Sequence, residues 1–218
     1  MKKIAYLLVF IGFSSAFAGS FEDFFSAVSR DDASTVNSLL RRGFDPNTLD
    51  PKGQSALFLA VRESSPKVLD VLLKSPKVKA ETRTAQDESP LMMAAMRGDL
   101  AVAKALIAKD ADVNKTGWTP LHYAASSSQG EQLAVLQLLL DNDAYIDAAS
   151  PNGSTPLMMA ALYGTSASLK LLLESGADPL LKNQLGLTAI DFAQRGERKD
   201  MSELIAAGIR AKQPKGKW

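Results

Sequence analysis

The chain has 218 residues, 46% hydrophobic and 22% charged, a balance that excludes a disordered polar chain and a polytopic membrane protein. Basic and acidic side chains number 25 and 24, a net charge of +1, so composition carries no electrostatic footprint for nucleic acid. There is no cysteine and one histidine, His122, which removes thiol nucleophiles, disulfides, Cys/His zinc sites and any mechanism that needs two histidines.

The first segment reads as an address. Lys2 and Lys3 precede the apolar run Ile4 to Phe13, and Ala16-Phe17-Ala18 then presents an A-x-A pattern before Gly19. That three-part layout is expected of a cleaved secretory signal over residues 1–18. The ten apolar residues fall well short of the roughly 20 needed to span a bilayer, so no stable membrane insertion is expected after cleavage. A short signal of this kind resembles bacterial ones, which makes the periplasm the expected destination. A chain without cysteine suits an oxidising compartment.

After residue 19 the sequence repeats itself. Gln54-Ser55-Ala56-Leu57-Phe58-Leu59-Ala60 is echoed by Glu88-Ser89-Pro90-Leu91-Met92-Met93-Ala94 and by Trp118-Thr119-Pro120-Leu121-His122-Tyr123-Ala124. The pattern returns as Ser154-Thr155-Pro156-Leu157-Met158-Met159-Ala160 and, weaker, as Leu187-Thr188-Ala189-Ile190-Asp191-Phe192-Ala193. The Ser/Thr positions 55, 89, 119, 155 and 188 are 34, 30, 36 and 33 apart, and a degenerate first copy begins near Glu22. Each Ser/Thr suits an N-cap and each following Pro the first helical position, where a missing N–H costs nothing. A second apolar element follows each Ala pair: Leu39-Leu40, Val71-Leu72-Leu73, Ala105-Leu106-Ile107, Leu138-Leu139-Leu140, Leu171-Leu172-Leu173 and Leu204-Ile205-Ala206. The residues between Asn114 and Gly117 are about three too few, which crops that hairpin. Ser126-Ser127-Ser128-Gln129-Gly130 lengthens the next inter-helix turn by three.

T-P-L-H-x-A at a period near 33, followed by L-L-L and G-A-D, resembles the ankyrin repeat. The resemblance implies an all-α fold, a solenoid of about six helix-turn-helix repeats with short β-hairpin loops. The copies fall at about 20–50, 51–84, 85–114, 115–150, 151–183 and 184–212 within a domain over 19–212, and the basic segment 213–218 is expected to fray. One repeat cannot bury its own apolar face, so neighbours must stack.

No candidate catalytic chemistry survives this reading. His122 stands at the H of T-P-L-H, where the resemblance implies a hydrogen-bonding strut between loops. Ser126 to Ser128 lack the elbow and the orienting third group of a nucleophile. The methionine clusters suggest thioether copper ligands, but Met93 and Met159 align with Leu59, Tyr123 and Phe192 and read as core. Met92, Met158 and Met96 are left as surface contacts. No cofactor, metal or catalytic residue is expected.

What remains is the surface that ankyrin arrays use for binding another protein: hairpin residues before each cap and exposed residues after each Ala pair. Here these include Arg62, Glu88, Met96, Arg97, Trp118, Leu162, Tyr163 and Leu187. The polar N-terminal half passes into apolar groups, and such groups at solvent-facing positions mark an interaction site. Trp118 and Tyr163 are expected to line one groove. The family resemblance implies a non-catalytic periplasmic module, supporting an oxidative-stress enzyme such as a catalase or, alternatively, acting as an immunity protein that neutralises a toxin or enzyme.

Overall fold

The computed structural model describes residues 19–212; the signal reading over 1–18 and the basic tail 213–218 lie outside them. Contacts divide the chain into two compact units, 1–90 and 91–218.

The first unit holds α1 (19–29), α2 (Ala33–Arg41), α3 (Ala56–Glu63) and α4 (Pro66–Lys74). Phe24, Ala27 and Val28 are buried at helical spacing, so the degenerate first copy does form a helix. The Phe24 ring lies 4.5 Å from that of Phe44. α4 packs on both α2 and α3.

The second unit contains α5 (Pro90–Arg97, from Leu91 on), α6 (Leu100–Ile107), α7 (Pro120–Ser126), α8 (Gln132–Asp141), α9 (Pro156–Tyr163), α10 (Ser166–Glu174), α11 (Ala189–Arg195) and α12 (Lys199–Lys212). First helices stack in the order α7, α9, α11, and second helices in the order α6, α8, α10, α12. Seven to ten residues are too few for most of these helices to persist alone in water, so packing between copies holds them. The Ala124-Ala125 and Ala160-Ala161 pairs are fully buried and permit close helix approach.

Caps follow the expected chemistry. Ser55 Oγ accepts the Phe58 amide at 3.1 Å and Thr155 Oγ1 the Met158 amide at 3.3 Å. Gly43 and Gly176 take the left-handed conformation past the second helices; Asp110 and Asp143 occupy the same positions with φ near 60°. Among the described residues the hairpins are tight turns, with one isolated antiparallel bridge between Leu49 and Ser55. They close by one recurring bond, from the amides of Asp50, Thr84, Ser150 and Asn183 to the carbonyls of Gln54, Glu88, Ser154 and Leu187.

The buried positions Leu39, Leu72, Leu106, Leu139, Leu172 and Ile205 recur every 33 or 34 residues, although the first-helix caps do not. The cropped hairpin before α7 and the lengthened turn after it cancel within one copy. The added segment is docked rather than loose. Glu131 N–H donates to the Gly98 carbonyl at 2.8 Å, and Ser127 Oγ donates to the Met96 carbonyl at 2.6 Å. A Cβ on Gly98, whose φ is +64°, would fall 2.1 Å from the Gln129 carbonyl oxygen. Only glycine allows that approach.

A side-chain ladder ties hairpin bases forward. Asp45 and Asp112 accept the amides of Asn47 and Asn114 two residues on, which orients both asparagines. Asn47 then bonds the Lys77 carbonyl and the Lys79 amide, and Asn114 the Asp143 carbonyl and the Tyr145 amide. Asp147 takes the Asp178 amide at the next step, and Leu180, at that register, is 61% exposed.

Candidate functional site

The cropped hairpin delivers Trp118 directly to the start of α7, where the Trp118 and His122 rings meet edge to face at 5.3 Å. His122 is fully buried. Its Nδ1 accepts the Thr119 amide at 3.2 Å, with the Thr119 hydroxyl 2.9 Å away. An amide can only donate, so the ring proton sits on Nε2, which donates to the Ser154 carbonyl at 2.9 Å. The histidine is therefore a strut from the α7 cap to the following hairpin. Burial holds its pKa below the usual 6.5, against the opposing pull of the Ser154 and Ala148 carbonyls. With both nitrogens engaged, it offers no lone pair to a substrate or metal. Among the described residues no group of three or more His, Asp or Glu is arranged to hold a metal ion.

Around this strut lies a cleft of about 220 Å³, lined by Met96 of α5, Trp118, His122, Tyr123 and Ser126 of the α7 copy, and Met159 of α9. Ser126 Oγ is turned to the His122 and Tyr123 carbonyls, at 2.9 and 3.1 Å. No lining side chain is charged. The Ser127 bond to the Met96 carbonyl fixes the end of α5, so the lengthened turn helps to hold one wall.

The structure thus brings two of the expected residues, Met96 and Trp118, into one cleft. Tyr163, 60% exposed at the end of α9, is not among the residues that line it. Leu162 is half-buried, with its side chain and carbonyl against Gly196; Arg97 and Leu187 are also half-buried. Arg62 and Glu88 belong to the first unit. Arg62 bonds Gln54 and Glu63 and lies 5.8 Å over the Phe58 ring.

Two methionine assignments are corrected. Met92 and Met158, expected at the surface, are 0% and 1% exposed, because they fill the helix position that His122 occupies in its own copy. The Thr155 amide points at Met158 Sδ, 3.4 Å away, as the Thr119 amide does at the His122 ring. Conversely Met159 and Tyr123, expected in the core, are half-exposed cleft walls, whereas Leu59, Met93 and Phe192 at the equivalent position are buried.

A larger hollow in the first unit, about 300 Å³, is lined in part by Arg41, Lys74 and Lys77. Arg41 and Lys74 close the last turns of α2 and α4, where cations complement the helix dipole, and that accounts for their placement.

The family model for ankyrin repeats (3 copies) matches residues 77–150 and 128–214, more than half of the chain. The NF-kappa-B p105 subunit of Gallus gallus is 36% identical over 163 residues, 72% of this chain and 16% of that protein, so the chain spans about a sixth of that relative. The putative ankyrin repeat protein YahD of Escherichia coli K12 is 26% identical over 194 residues, 85% of this chain and 96% of its own. A chain in the complex of the predatory endopeptidase Bd0816 of Bdellovibrio bacteriovorus with immunity protein Bd3460 superposes with a TM-score of 0.73 at 28% identity, covering 85% of this chain and 97% of that one. Ankyrin repeats mediate protein–protein interaction. Stacked helix pairs, cap chemistry and matched sequence agree: this chain belongs to the ankyrin-repeat family.

Proposed function

We propose that the chain is an exported, non-catalytic module that binds and restrains another protein in the periplasm, with the cleft at Met96, Trp118, Tyr123 and Met159 as the anchor of its binding surface. The observation that carries this reading is the cleft itself: aromatic and thioether side chains held half-open on a rigid floor whose polar atoms are already paired. Buried aromatic anchors of this kind dominate binding energy in protein interfaces. Likeness to a chain of an endopeptidase–immunity protein complex favours restraint of an enzyme over support of a catalase. The signal layout of residues 1–18 supports export.

Two measurements test the proposal. The exported protein should be recovered by osmotic shock with an intact mass beginning at Gly19; retention of residues 1–18 in a membrane fraction overturns the export reading. A photo-crosslinking residue at Met96 should capture a partner in that fraction, whereas one at Leu133, exposed on α8 away from the cleft, should not. Capture from both positions equally, or from neither, overturns the anchor.

A further inference from the structure

The chemistry of the cleft limits what enters it. Its volume of about 220 Å³ is below the roughly 300–1,000 Å³ of sites that enclose a whole small ligand, and suits one large side chain. All six lining side chains are uncharged, so a charged occupant would give up hydration without gaining a counter-charge. The floor offers little polar recognition, because both His122 nitrogens and the Ser126 hydroxyl proton are committed within the protein. What the walls offer is polarisable surface. Met96 and Met159 bring thioethers, which favour contact with aromatic rings and adapt their shape. Trp118 and Tyr123 bring ring faces and edges.

We propose that this cleft receives a single uncharged aromatic side chain, of Phe or Tyr size, presented by the partner protein. This rests on the protein-binding reading above and names the chemistry of the group that is bound. An aromatic ring fits the neutral lining, fills the volume and pairs with two sulfur atoms; a lysine, arginine or carboxylate would bring a charge into that lining with no counter-charge to meet it. The copy's altered loops frame the opening. The shortened hairpin brings Trp118 to the α7 cap, and the lengthened turn anchors the Met96 backbone; Tyr123 stands beside them, half-exposed as Met159 is, at the position buried as Leu59, Met93 and Phe192 in other copies.

The test uses the full chain with methionine methyl groups labelled with carbon-13, assigned by Met96→Leu and Met159→Leu. N-acetyl-phenylalaninamide is titrated against N-acetyl-lysinamide and N-acetyl-aspartamide. The aromatic probe should shift the Met96 and Met159 methyl resonances upfield with a Kd on the order of 10 mM, as burial of one ring implies. The buried methyls of Met92, Met93, Met158 and Met201 should stay in place, which also reports that the fold is intact. Trp118→Ala should weaken the response several-fold and Trp118→Phe should retain most of it. Shifts of equal size with the charged probes, shifts spread over the buried methyls, or no shift at all would each overturn the proposal. Capture of a partner at Met96 without the aromatic response leaves protein binding standing and removes this occupant. The aromatic response without any captured partner does the reverse.

Discussion

Replacing His122 with methionine gives it the residue that the neighbouring copies use at the same place, so the backbone is suited to the change and the strut alone is removed. At pH 7.5 the Ser154 carbonyl loses its Nε2–H donor inside a fully buried site, which costs about 1–3 kcal/mol before the gain from apolar burial is set against it. A net loss of about 1–2 kcal/mol lowers Tm by roughly 2–8 °C for a chain of this size. The pH dependence carries the sharper test. Burial lowers the folded His122 pKa below the unfolded 6.5, so above pH 6.5 both states are neutral and its contribution is fully present. As pH falls below 6.5 the unfolded chain takes up the proton first, and stability is lost by up to about 1.4 kcal/mol per pH unit until the folded ring also protonates. Protonation would also set an Nδ1–H against the Thr119 amide, two donors face to face. Asp32 and Asp191 are held below 3.8, chiefly by the side-chain hydrogen bonds of Thr35 and Thr188, so stability tied to them is lost below that value, outside the histidine window. Urea unfolding followed by Trp118 fluorescence in a Trp218→Phe background should therefore show wild type and H122M converging between pH 7.5 and 5. A gap that stays constant over that range would refute the neutral-strut account.

Three further outcomes are expected. Leu139→Ala empties a fully buried site in the second-helix row and should cost about 2–5 kcal/mol in denaturant titration. Gly98→Ala forces a Cβ onto the Gln129 carbonyl from a left-handed backbone; it should cost about 2–4 kcal/mol and loosen the 126–130 turn, read as faster amide exchange at Glu131. Asn114→Leu, copying Leu180, removes two forward hydrogen bonds and should cost about 1–3 kcal/mol with loss of exchange protection at Tyr145.

The repeat and its caps are legible because each sits in a short stretch whose chemistry is local: Thr155-Pro156 suits the N-cap and first position of a helix, and Leu139 lies on the apolar face marked by the 3.6-residue spacing of its neighbours. The cleft is legible only in part. Trp118 and Met96 stand out as apolar residues at solvent-facing positions. Met158 and Met159 are adjacent and chemically identical, yet the first is buried, as Phe58, Met92 and His122 are at the same position, and the second is half-exposed. The His122 strut is legible from its place in T-P-L-H, but its far end is a backbone carbonyl 32 residues away, which no residue type at position 154 announces. The Asn114 ladder is hidden for the same reason, since its partners at 143 and 145 are main-chain atoms.

That ladder has a direction. Asn47 and Asn114 are each oriented from within their own copy, by an aspartate two residues earlier, and each spends its amide group on the backbone of the copy that follows, so each works as a socket set on one side and filled from the other.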